Sequence, residues 1–110
     1  MTETSEELPE PGYVRRIYRA LGERGVLERV KGVVVGRAKA WEFDKQRTAA
    51  EKAEYRKLLN DMTIEIVRKY NPAIPIVQNL DFGHTDPQIP MPYGTHIRLD
   101  SDTKKIFATF

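Results

Sequence analysis

The 110-residue chain has no cysteine, only two histidines, His84 and His96, and only two serines, Ser5 and Ser101. Without cysteine there is no disulfide, no thiolate nucleophile and no cysteine-based zinc site. That absence suits a cytoplasmic protein, the expected location. Long apolar runs are missing as well: Val33 to Val35 is far too short to span a bilayer. The opening segment, MTETSEELPEPG, is acidic and has no apolar centre, so it does not read as a signal peptide. Charge of one sign is also lacking. Eighteen basic against sixteen acidic residues leave +2, too little to indicate nucleic acid or an anionic membrane as a partner. What is present is an ordinary globular balance, 40% hydrophobic and 31% charged, in a length that fits one domain, residues 1–110.

The pattern along the chain predicts a small α/β domain with two main helices, a mixed sheet and a C-terminal β-hairpin. Residues 2–10 carry Glu3, Glu6, Glu7 and Glu10 and no base, an extended lead-in ending at Pro11-Gly12. Val14, Ile17 and Leu21, with Tyr18 beside them, recur at helical spacing over 13–23. Arg15, Arg16 and Arg19 fall mostly off that stripe and read as a solvated face. Gly25 follows as a helix stop. VKGVVVGR, residues 30–37, is a β-branched run suited to a strand buried on both faces of a parallel sheet. Its lone glycine after the strand is a weak nucleotide-binding signal. Residues 38–47, around Trp41 and Phe43, read as an irregular connection. Thr48 with Glu51 three residues on resembles a capping box, and Tyr55, Leu58, Leu59, Met62, Ile66 and Tyr70 form the next apolar stripe. Asn71-Pro72 stops that helix. A second strand is predicted from Ile74 to about Leu80. THIRLD and KKIFATF then alternate around the turn DSDT as a hairpin.

His84 is the first residue to ask about. It follows Gly83 just past a strand's carboxyl end, where open α/β sheets place reacting groups. Pro87, Pro90 and Pro92 limit the freedom of its loop. An imidazole there can take and return a proton near neutrality. On spacing alone, a loop histidine bonded to backbone or water fits at least as well. The glutamate cluster could orient an imidazole, or could be a solvated acidic run. Neither serine is a convincing nucleophile: Ser101 lies in a polar hairpin turn without a strand-to-helix elbow, and Ser5 lies among glutamates. His84, Asp86, Asp81 and His96 lack metal-ligand spacing, so no metal site is expected from them.

Residues 3–43, ETSEELPEPGYVRRIYRALGERGVLERVKGVVVGRAKAWEF, and 71–100, NPAIPIVQNLDFGHTDPQIPMPYGTHIRLD, together resemble the C-terminal part of the LD-carboxypeptidase family. These are the muramoyltetrapeptide carboxypeptidase serine peptidases, a group that includes the microcin C immunity proteins. The ETSEE lead-in and the long connection between Ala38 and Met62 are closer to the microcin-immunity branch. FGHTDPQ, with the prolines and Gly94 that follow it, is the most specific part, and ETSEE the next.

The resemblance implies a Ser-His-Glu site shared between two domains. An N-terminal domain supplies the serine, in Gly-x-Ser-Asp, and the oxyanion hole. The C-terminal domain supplies the histidine, matching His84, and the glutamate, matching Glu3, with Glu6 and Glu7 as fallbacks. Gly-x-Ser-Asp is absent here: Ser101-Asp102 follows Leu99-Asp100. The expected reading is therefore the C-terminal half of such an enzyme, cut just before or inside its first strand. Its expected partners are the missing nucleophile-bearing domain, a small peptide or peptide-nucleotide substrate, and a second copy in a homodimer. Alone it is expected to be inactive, and the face awaiting the missing domain to be apolar. The rival reading is a non-catalytic binding module of the same fold.

Overall fold

A computed structural model describes residues 1–110. Helix α1, Pro11–Glu23, opens at a proline, which fits the first turn because an N–H there would have no partner anyway. It stops at the cap residue Arg24, one before Gly25, and a single-turn helix α2, Val26–Arg29, follows. The sequence pattern held no sign of α2, whose four residues are too few to show a period. Strand β1, Val33–Gly36, is buried along its whole length, as a two-sided β-branched strand should be.

Helix α3, Ala49–Tyr70, starts at the predicted capping box. The Thr48 hydroxyl accepts from the Glu51 N–H at 3.2 Å, and the Glu51 carboxylate accepts from the Thr48 N–H at 2.7 Å. Thr48→Ala should therefore cost about 1 kcal/mol, read as a lower urea midpoint at unchanged slope. At the other end Asn71 caps the helix, and its side-chain amide donates to the Leu27 carbonyl at 2.9 Å, tying α3 to the end of α2.

Strand β2, Ile76–Leu80, pairs parallel with β1, with Val33 opposite Ile76 and Val34 opposite Val77, and α3 forms the crossover between them. Strands β3, Ile97–Asp100, and β4, Lys105–Ala108, make the predicted antiparallel hairpin. The parallel and antiparallel pairings thus fall in two separate two-stranded sheets. On the far side of β1, Thr2 adds one further parallel bridge, to Val35. The local order across this layer is therefore Thr2, β1, β2, all running the same way.

The core lies between this layer and helices α1 and α3, around Val14, Tyr18, Val33, Val35, Leu59, Ile66 and Val67. Two helical stripes differ from their sequence reading. α1 buries Val14, Tyr18 and Gly22 and leaves Ile17 47% exposed. α3 buries Thr63 and Val67 and leaves Leu58 53% exposed. In both helices the packed ridge runs along i, i+4, and the flanking apolar residue falls to one side of it. Leu58 sits about 60° around the helix from Tyr55, away from the side where Thr63 and Val67 pack. No helix of the protein is long and apolar enough to cross a membrane.

Candidate active site

Three strand ends meet at one edge of the parallel layer. Thr2 runs beside β1, accepting from the Gly36 N–H and donating to the Val34 carbonyl, both at 2.9 Å. Its hydroxyl lies 2.7 Å from the Tyr18 hydroxyl, which fixes the segment against α1. Glu3 is the next residue and stands just past this strand end. β2 lies on the opposite side of β1, and its carboxyl end leads into the His84 loop. To reach Glu3, that loop must cross over the end of β1.

It crosses at Gly36. A Cβ on Gly36 would lie 2.6 Å from the Phe82 carbonyl oxygen and 3.1 Å from Glu3 Cβ. Only a residue without a side chain leaves room for the crossing. Gly83, one residue before the histidine, has φ +83° and lies directly against the Glu3 side chain, where a Cβ would sit 2.7 Å from Glu3 Cδ. The left-handed backbone and the close approach both call for glycine.

The crossing brings His84 onto Glu3. His84 Nδ1 lies 2.8 Å from Glu3 Oε2, and the His84 backbone N–H donates to the same oxygen at 3.2 Å. A carboxylate only accepts, so this contact puts the ring proton on Nδ1. Nε2 is left as the acceptor nitrogen, and no hydrogen bond from the chain reaches it. The imidazole is 44% exposed and the Glu3 side chain 34%. The hydrogen bond that the imidazole donates to Glu3, and the negative charge of Glu3, push the imidazole pKa above its ordinary value of 6.5. Glu6 adds to the rise, while partial burial and the positive charge of Lys39 oppose it.

The other residues singled out from the sequence do not bond to this pair. Glu6 comes no closer than 3.7 Å to the Lys39 ammonium, and no hydrogen bond joins Glu6 or Glu7 to His84. Ser5 lines an apolar cavity of ≈ 360 Å³ between α1 and α3, together with Ile17, Tyr18, Leu21 and Leu59. Ser101 is exposed in the hairpin turn. Neither serine hydrogen-bonds to the histidine. His96 precedes β3, Asp81 is held by Arg37, and these do not gather with His84 and Asp86 into a ligand set.

Arg37 was not anticipated. It follows β1 directly, and its guanidinium contacts Asp81 just past β2: Nη2 lies 2.6 Å and Nε 2.8 Å from Oδ1. Opposite charges at the carboxyl ends of two adjacent parallel strands were the available signal, but their register is not visible in the sequence.

A family model described as the LD-carboxypeptidase C-terminal domain matches residues 1–99. The chain belongs to this family, a serine carboxypeptidase family, and represents its C-terminal domain. Searches of curated proteins and of solved structures returned no match.

Proposed function

We propose that this domain supplies the base and the orienting acid of a Ser-His-Glu peptidase site, with His84 as base and Glu3 as acid. The observation that carries the reading is the 2.8 Å contact between Nδ1 and Glu3, with no hydrogen bond from the chain at Nε2 and the side chain 44% exposed. The serine would come from a second domain docking on this edge. In the reaction its Oγ attacks the amide carbon while Nε2 takes the hydroxyl proton. Glu3 holds the imidazolium so formed, and Nε2 then returns the proton to the departing amine. Water hydrolyses the acyl-enzyme with His84 again as base. No metal and no organic cofactor is required. The substrates are the L–D peptide bond of cell-wall tetrapeptides or, for a member of the microcin-immunity branch, the carboxamide of a microcin C-like peptide-nucleotide. By itself the domain is inactive, because it lacks both nucleophile and oxyanion hole.

The test joins this domain to a serine-bearing family domain and assays release of the terminal D-amino acid from a muropeptide tetrapeptide, beside cleavage of a peptide-nucleotide. Turnover that needs both halves and falls sharply, without vanishing, in Glu3→Gln is expected. No turnover on either substrate would leave the domain as a binding module. The same variant carries a pH prediction. Glu3 favours the imidazolium, so the pair stabilises the fold below histidine's ordinary pKa, and that stability disappears as pH rises through the raised value. In Glu3→Gln the His84 titration should move down toward 6.5, read by NMR. The acid limb of kcat/KM should move to lower pH with it, while the plateau falls.

A further inference from the structure

We infer that Arg37 is a positioning residue for His84, a clamp that closes the histidine loop over the end of β1. It rests on His84 being the base of the site. The loop segment 82–85 has two ends, Asp81 and Asp86, and Arg37 holds both. Its guanidinium grips the Asp81 carboxylate at one end, and Nη2 donates to the Asp86 carbonyl at 3.3 Å at the other. Its own backbone N–H donates to the Leu80 carbonyl at 2.7 Å, so the clamp is anchored in the strand pairing itself. A further tie, from the Ile89 N–H to the Asp81 carbonyl at 2.6 Å, draws the far side of the loop to the same aspartate.

Between those two points lie Phe82, Gly83, His84 and Thr85, and the first three cross Gly36 and meet Glu3. None of them is gripped by another charged side chain except Glu3 itself. Gln88 donates to the Gly83 carbonyl, Thr85 donates to the Pro87 carbonyl at 2.8 Å, and the Phe82 N–H donates to the Leu80 carbonyl at 2.9 Å, so the remaining bonds are local ones. Arg37 is therefore the charged side chain from outside the loop that, besides Glu3, holds this segment in place. A lysine would not replace it: one ammonium on a flexible stem cannot hold the carboxylate and the distant carbonyl in a fixed fork.

The experiment follows the ring protons of His84 by NMR through a pH titration of the chain, with His84→Gln identifying its signals against those of His96. In Arg37→Ala the His84 pKa should fall toward 6.5 and the downfield Nδ1 proton should be lost to exchange. Arg37→Lys should give an intermediate shift. In the joined enzyme the same change should lower kcat by about 10²-fold with KM little altered, the cost of a misplaced base. A merely structural arginine would lower the melting temperature and leave the His84 titration in place, and that result overturns the inference. Should Arg37→Ala fail to fold, Asp81→Asn retains Arg37 and its bond to Asp86. An unmoved His84 titration in that variant overturns the clamp equally. A shifted titration beside a wild-type enzyme that turns over neither substrate supports the clamp and sinks the peptidase reading instead.

Discussion

His84→Ala in the joined enzyme should lower kcat by roughly 10⁴- to 10⁶-fold and leave KM close to its starting value. His84 is an exposed residue and not part of the buried core. Its one hydrogen-bonding partner is Glu3, in a pair 44% and 34% exposed, so its loss should cost less than about 1 kcal/mol of stability. The two readings separate cleanly because the site lies on the rim and the core lies beneath it. Chemistry should collapse while the urea midpoint barely moves. His84→Gln, which keeps a polar group of similar length but cannot take the proton, should fail as badly as alanine. Substantial turnover in either variant would remove His84 from the mechanism. A large loss of stability with turnover retained would make it an ordinary structural histidine.

The residues that form this site were legible in the sequence to unequal degrees. The strand of valines, the capped helix after Thr48 and the C-terminal hairpin each follow from local rules, because period, cap and turn residues act within a few positions. Helix phase was harder. Ile17 and Tyr18 are neighbours and both apolar, and which one faces inward is set by what packs opposite. The Thr2 hydroxyl and Thr63 engage the Tyr18 hydroxyl, and no pattern within α1 records them. The site itself shows the same limit. GHTDP marks a histidine on a stiff turn, and ETSEE marks an acid, but 81 residues separate Glu3 from His84. What joins them is the order of three parallel strand ends, which is a property of the sheet. Arg37 and Asp81 are 44 residues apart and meet for the same reason. The family resemblance supplied the pairing of Glu3 with His84 but said nothing of the crossing at Gly36 or of the clamp beside it.

Gly36→Ala should damage the chemistry of the site more than the stability of the fold. Gly36 is not among the residues with positive φ, so alanine faces no backbone penalty there. Its effect would come from crowding alone. The new Cβ would lie 2.6 Å from the Phe82 carbonyl oxygen, a backbone atom, and 3.1 Å from Glu3 Cβ. The Phe82 carbonyl cannot swing aside: the ring of Phe82 is buried, and its N–H is bonded to the Leu80 carbonyl at 2.9 Å. Relief must come from lifting the chain at Phe82 and Gly83, which carries His84 away from Glu3. Overpacking of this kind costs about 1–3 kcal/mol, enough to lower the melting temperature without unfolding the domain. The larger effect should be on chemistry, a fall in kcat of about 10²-fold, because the imidazole leaves its partner and its aim together. The His84 titration should drop in the same variant, since the Glu3 hydrogen bond that raises it is stretched or lost. A Gly36→Ala enzyme with full kcat and an unmoved His84 titration would mean that the loop does not depend on crossing β1 at this point. The three-strand geometry would then not be what aligns the pair.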